Sequence, residues 1–313
     1  MHRVIGIDLG GTAIKGGLFS TNGECFHSLE ILTENRAFHP VCDQIVRVAK
    51  SLGSKADSTI VGIGLGVPGG IKRDKATIHF SPNFPEWSDV DMKNELEARG
   101  LQSVTIENDA NCAAITESVL GAGRKYESMA LFTLGTGVGG GIILDREVVH
   151  GHWGMAGELG HIPIFPDGLP CSCGSRGCLE QYASGSAIIK AASEYWNRGL
   201  IPEWSREPAT SLDVYQCAIA GNRWCLSIFQ TLGRALGIAI SGLIHSLNLP
   251  MFVIGGGVGQ SFDLFKDALQ QEIVTRTFPI AANGVQVTQA VFGNEAGMIG
   301  AALLASRKWS DGR

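Results

Sequence analysis

"VIGIDLGGTAIKGGLF", Val4 to Phe19, is an apolar run, a Gly/Thr turn and a second apolar run. Residues with strand preference on both sides of the turn predict two strands. "TNGE" before "CFHSLEIL" predicts a third, and tight turns make all three antiparallel. The arrangement returns in "ALFTLGTGVGGGIIL", Ala130 to Leu144. A third glycine turn ends the apolar run "MFVIGGGVG", Met251 to Gly259. A strand-turn-strand unit that occurs twice predicts two like-built halves.

Between these segments the pattern changes to a helical one. Val41, Ile45, Val48, Ala49 and Leu52 recur at helical spacing over residues 41–52. "TIVGIGLGVPGG" is a buried-strand run stopped at Pro68. "DMKNELEARG" is a helix ended by Gly100, "SVTIEND" a strand, and a helix follows from about residue 110 to 120, closed by Gly121. Further helices are expected near residues 185–198, 212–220, 223–247, 262–276 and 296–308, with a strand in "VQVTQAVF". Strands mixed with helices predict a three-layer α/β protein. The expected division is an N-terminal α/β domain, 1–120, and a C-terminal one, 121–295, with the last helix, 296–313, packing back on the first.

The chain's 313 residues allow about two domains, each with a sizeable core. Hydrophobic residues make up 44% and charged ones 18%, the profile of a globular chain. A net charge of −5 without a basic block argues against a nucleic-acid partner. No uninterrupted apolar stretch reaches membrane-spanning length, and Met1 runs straight into an apolar strand without the features of a signal peptide. The expectation is a cytoplasmic protein with no membrane partner and reduced thiols. The 42 glycines cluster after apolar runs, where tight turns bring backbone against a ligand.

In a Gly/Thr turn, backbone N–H groups converge on an anion because no Cβ blocks the approach. "DLGGT" offers Asp8, Gly10, Gly11 and Thr12, and "LGTGVG" offers Gly135, Thr136 and Gly137. Each is either half of a polyphosphate grip or simply a hairpin turn; the duplication, with Asp8 placed to organise Mg²⁺ through waters, favours the grip. Gly255, Gly256 and Gly257 let backbone lie flat against a nucleoside. Neither loop is a Walker A motif, and neither is a GxGxxG that opens a Rossmann helix.

"ENDANCAA" starts where the strand "VTI" meets a helix. Asp109 there is either a base for a hydroxyl or the helix N-cap, and Asn108 is able to cap as well. In "CSCGSRGCLE" three thiols follow C-x-C-x4-C, with His161 ten residues upstream. Cys171, Cys173, Cys178 and His161 are four ligands suited to tetrahedral, structural zinc, and Gly174 and Gly177 let the chain wrap around it. The spacing is not the C-x-x-C of a redox pair. Glu158 and Glu180 flank these ligands and either orient a polar ring or are surface acids. Trp87 is expected to be a packed core aromatic, and Lys15 a solvated hairpin lysine.

The glycine turns together resemble the nucleotide-binding set of the actin, hexokinase and Hsp70 ATPase superfamily, whose fold is ribonuclease H-like. "GHWGMAGELGHIPI" followed by "CSCGSRGCLEQYASG" resembles the ROK family of sugar kinases and repressors over nearly the whole chain. The resemblance implies a two-domain actin-like α/β fold with ATP and sugar in the interdomain cleft, and a homodimer. It implies ATP-dependent phosphorylation of a hexose at the C6 hydroxyl, glucose being the expected sugar. N-acetylmannosamine, N-acetylglucosamine or allose is the alternative. It assigns Asp109 as base, Asn108 to the sugar, and His161 both to zinc and, through its second nitrogen, to a sugar hydroxyl. Glu158 and Glu180 join the sugar site. "SPNFPEW" and "VPGG" add Asn83 and Gly69. A sugar-responsive repressor is the alternative from another class; it needs a helix-turn-helix module, for which no room is expected before Val4. A filament or chaperone ATPase would have no use for a zinc-held histidine.

Overall fold

The computed structural model describes residues 2–311 except 73, 75, 202, 203, 205, 206, 208 and 209. In chain order its elements are β1 (Arg3–Leu9), β2 (Ala13–Ser20), β3 (Cys25–Leu32), α1 (Phe38–Gly53), β4 (Ile60–Val67), β5 (Gly70–Ile71), β6 (Thr77–Phe80), β7 (Ser88–Asp91), α2 (Met92–Ala98), β8 (Val104–Asn108) and α3 (Asp109–Val119). Then come β9 (Met129–Leu134), β10 (Val138–Leu144), β11 (Glu147–Val148), α4 (Glu180–Ala183), α5 (Gly185–Asn197), α6 (Ser211–Ile219) and α7 (Arg223–Leu247). The chain ends with β12 (Met251–Gly255), α8 (Phe262–Arg276), α9 (Pro279–Gly284), β13 (Gln286–Gln289) and α10 (Ala296–Asp311).

Two five-stranded sheets have the same plan. The first runs β3-β2-β1-β4-β8 and the second β11-β10-β9-β12-β13. In the first, β1 and β2 pair antiparallel with Asp8 opposite Lys15, and β1, β4 and β8 are parallel. In the second, β9, β12 and β13 are parallel. The internal repeat is therefore a repeat of sheet topology.

The compact units divide at Glu127/Ser128 rather than near residue 120. The first holds Met1–Glu127, Gly141–Gly157 and Asn294–Arg313, and the second Ser128–Gly140 and Glu158–Gly293. Residues 141–157 thus join the first unit, not the C-terminal domain to which sequence order assigns them. Gly141 shows why: a methyl there would sit 2.7 Å from Cβ of Ala114, so this strand end lies directly on α3.

In the first unit α10 crosses β1 and β4. Added methyl groups at Gly6 and Gly64 would run into the carbonyls of Met298 and Ala301. These glycines therefore admit a helix rather than a ligand. α1 buries Val41, Ile45, Val48 and Leu52 against the same sheet's Ile7, Ile14 and Leu18 cluster. At about 25 cal/mol per Å² of apolar area, such burial is the main stabilising term. Trp87 is in this core, 2% exposed, stacked on Phe84 at 4.2 Å, and donates from Nε1 to the Arg36 carbonyl.

In the second unit α7 is the central helix. It is long and apolar enough to span a membrane by length and composition, although Gln230, Thr231 and Arg234 interrupt its apolar run. Its apolar side chains from Ile228 to Ile244 are buried, however, apart from the half-buried Ile238, and Gly233 and Gly237 let α8 approach closely. It is the core helix of this unit. Asn222 caps it by accepting from the Trp224 and Cys225 N–H groups, and left-handed Asn248 ends it.

Candidate active site

In the first unit, β4 and β8 end side by side and deliver Gly66, Gly69, Asn108 and Asp109 to one place. Asn108 is the N-cap of α3: its side-chain oxygen accepts from the N–H groups of Ala110 and Asn111. Its Nδ2 donates to the Gly69 carbonyl at 3.2 Å, which leaves one amide hydrogen for a ligand. Asp109 follows as the first helical residue, half-buried, with Oδ1 accepting from the Ala110 N–H at 2.9 Å. Asn108 therefore takes the capping role, and Asp109 is not the cap. A methyl on Gly66 would sit 3.6 Å from Cα of Asp109. Gly69 has φ +114°, and a side chain there would collide with the Phe80 carbonyl, so this turn requires glycine.

The first glycine turn is closed by Gly10 N–H donating to the Ala13 carbonyl at 2.8 Å, and Thr33 Oγ1 braces the Gly10 carbonyl at 3.0 Å. A methyl on Gly11 would lie 3.1 Å from Cβ of Asn83, so the exposed Asn83 stands beside the turn. Thr12 is exposed at the tip. Asp8, the last but one residue of β1, lies next to Gly297 in the first turn of α10. Burial pushes the Asp8 carboxyl up to about 6, with Lys15 opposing. A desolvated carboxylate with so little compensation suits a hydrated divalent cation.

In the second unit, the turn of Gly135, Thr136 and Gly137 is seated on the start of α5. Gly185 N–H donates to the Gly135 carbonyl at 2.7 Å, and Ser186 Oγ to that of Thr136 at 2.9 Å. Glu180 Oε2 accepts from the Val138 N–H at 2.9 Å, so the acid sought for a sugar also braces the anion turn. Gly256, at φ +81°, packs on the Leu134 backbone where a side chain would clash. Gly257 lines a cavity of about 340 Å³ with Ser211, Leu212, Tyr215, Phe229 and Val258. Sequence reasoning missed α6's share in this wall. The signal was Leu212, an apolar residue on a helix start, and it is 59% exposed.

The thiol loop draws His161, Cys171, Cys173 and Cys178 together, with ligand atoms within 4.8 Å of one another. Cys173 Sγ lies 3.7 Å from Cys178 Sγ, and Cys171 Sγ lies 3.7 Å from His161 Nδ1. Tetrahedral metal–thiolate bonds of about 2.3 Å require edges of about 3.8 Å, so the set fits. Gly174 at φ +90° and Gly177 at φ +67° make the bends. Burial raises both Cys171 and Cys178, but hydrogen bonds with Cys173, His161 and Cys178 bring Cys171 below the ordinary thiol range while Cys178 stays above it. Loss of hydration pushes the Glu158 carboxyl up; His161 opposes, and the neighbouring Glu180 charge adds a smaller push upward.

The chain is similar to known proteins over nearly its whole length. The model of a family described as "ROK family" matches residues 4–308. A glucokinase of Halalkalibacterium halodurans is 37% identical over 97% of this chain and 95% of its own. Among solved structures, a ROK hexokinase from Thermus thermophilus superposes with a TM-score of 0.85 at 30% identity, covering 99% of both chains. A ROK family glucokinase from Streptomyces griseus, in complex with glucose and AMPPNP, gives 0.83 at 32% identity, covering 97% of this chain and 99% of that one.

Proposed function

The chain belongs to the ROK family, with that family's actin-like α/β fold, and we propose that it transfers the γ-phosphoryl group of ATP to the C6 hydroxyl of glucose. The observation that carries this reading is the Asn108–Asp109 corner. There a half-buried carboxylate stands just past a strand end, held by a cap that is a different residue.

Phosphoryl transfer asks for positioning and charge stabilisation more than for a strong base. Asp109 accepts the C6 proton as that oxygen forms its bond to phosphorus and ADP leaves. An ordinary carboxylate suffices, because proton removal lags behind bond formation. Asn108 donates its remaining amide hydrogen to the sugar, and Asn83 and the Gly69 turn complete this unit's share. Glu158, His161 and Glu180 Oε1 serve the other hydroxyls.

The turns at Gly10, Gly11 and Thr12 and at Gly135, Thr136 and Gly137 offer N–H groups to the phosphates, and the cavity beside Gly256 and Gly257 takes the nucleoside. Asp8 would help hold magnesium, which would supply positive charge to the phosphates. His161 Nδ1 and the three thiolates would hold a structural zinc. So held, the imidazole would present Nε2 to a hydroxyl in one orientation. A homodimer is part of the proposal through the family.

Coupled ADP release tests the reading. Turnover should require a hexose, with glucose preferred over N-acetylmannosamine, N-acetylglucosamine and allose. ADP release independent of sugar would indicate an ATPase, and sugar binding without turnover a repressor-type domain.

A further inference from the structure

Asp109 is flanked on both sides by groups that share one buried acid. Glu107, 3% exposed, takes donors on both of its oxygens. Oε1 accepts from the Asn108 N–H at 3.0 Å and from Asn111 Nδ2 at 3.0 Å. Oε2 meets His150 Nε2 at 2.7 Å. One carboxylate thus fixes the residue before Asp109 and the residue two after it.

We propose that His150 is a positioning residue for phosphoryl transfer: through Glu107 it holds the Asn108–Asp109 corner in its reactive geometry. The inference rests on the reading of Asp109 as base. Loss of the His150 donor would take a 2.7 Å hydrogen bond from a carboxylate that is almost wholly out of water. Such a group turns or takes a proton, and either change disturbs the bonds to Asn108 and Asn111. His150 is itself held in place. It follows β11, its carbonyl accepts from the Ala156 N–H at 3.1 Å, and left-handed Gly151 and Gly154 shape the loop. Its side chain is 25% exposed, more than core packing alone would give. A displacement of about an ångström at a reacting group costs up to roughly 100-fold in rate.

The test separates hydrogen bonding from packing. His150→Gln keeps an N–H donor near the position of Nε2; His150→Phe keeps the ring volume and loses the donor. Both are made in the wild-type and Asp109→Asn backgrounds, and kcat, both KM values and thermal midpoints are measured. The expected result is His150→Gln within about threefold of wild type, and His150→Phe down roughly 10- to 100-fold in kcat with KM for ATP within about threefold. In the Asp109→Asn background, His150→Phe should cause no further loss. Equal loss in the two His150 variants would assign the residue to packing and overturn the inference. So would a further loss in the double variant. Wild-type kcat in His150→Phe beside a collapsed Asp109→Asn would also overturn it, leaving the base reading intact. Normal turnover in Asp109→Asn would remove the base reading and the inference with it. Should His150→Phe fail to fold, His150→Ala takes its place, with added imidazole expected to restore rate; no restoration counts against the inference.

Discussion

Replacing Asp8 by asparagine should stabilise the nucleotide-free protein near neutral pH while removing its activity. Asp8 is enclosed between the β1–β2 turn and the first turn of α10, and burial moves its carboxyl from 3.8 to about 6, Lys15 opposing. A raised carboxyl binds its proton more tightly in the folded than in the unfolded chain. Below about pH 3.8 both states are protonated and no penalty exists. The penalty grows as pH rises through that value and is complete above about 6. At about 1.4 kcal/mol per pH unit it amounts to about 3 kcal/mol, an upper figure because asparagine also deprives Lys15 of a charge partner.

Urea unfolding without nucleotide or magnesium, followed from about pH 4 to about pH 8, measures the difference. Asp8→Asn should gain on wild type as pH rises and level off above about pH 6. Activity should move the other way, with kcat/KM for ATP lower by roughly 100-fold or more. A variant less stable than wild type at neutral pH, or a gap indifferent to pH, would refute the argument that this carboxylate is held at a thermodynamic penalty.

Asp109→Asn should keep glucose affinity within a few-fold by calorimetry and lower kcat by roughly 1,000-fold or more, the range of a lost base together with disturbed alignment. Cys173→Ala should lose its metal by plasma emission and weaken glucose binding in the same preparation; full zinc content with unchanged affinity would contradict the structural-metal reading. Leu212→Glu sets a negative charge on the wall of the 340 Å³ cavity. It should raise KM for ATP roughly tenfold and leave KM for glucose near wild type, whereas a shift in glucose KM alone would move the nucleoside elsewhere.

Local chemistry made much of this legible. The β1–β2 hairpin, its copy in β9–β10, and the helices ended by Gly100 and Gly121 follow from apolar period and turn residues that act over a few positions. Cys171, Cys173 and Cys178 share one loop, so their convergence is also a short-range property. What stayed hidden depends on partners far along the chain. Gly6 and Gly64 read only as positions within strand runs, yet they face α10 almost 300 and about 240 residues later. Gly141 reads as part of a hairpin, and its contact with α3 is what assigns the segment after it to the first unit. Asn108 and Asp109 are equally good caps by type, and only the fold shows that Asn108 takes the helix N–H groups. Glu107 pairs with a histidine 43 positions away, which no spacing rule anticipates.

Phosphorus NMR of the products formed from ATP and glucose tests the central claim most directly. A phosphomonoester coupled to the two C6 protons, formed in step with ADP, is the predicted result. Inorganic phosphate in its place, or a phosphoryl group on another carbon, would contradict it.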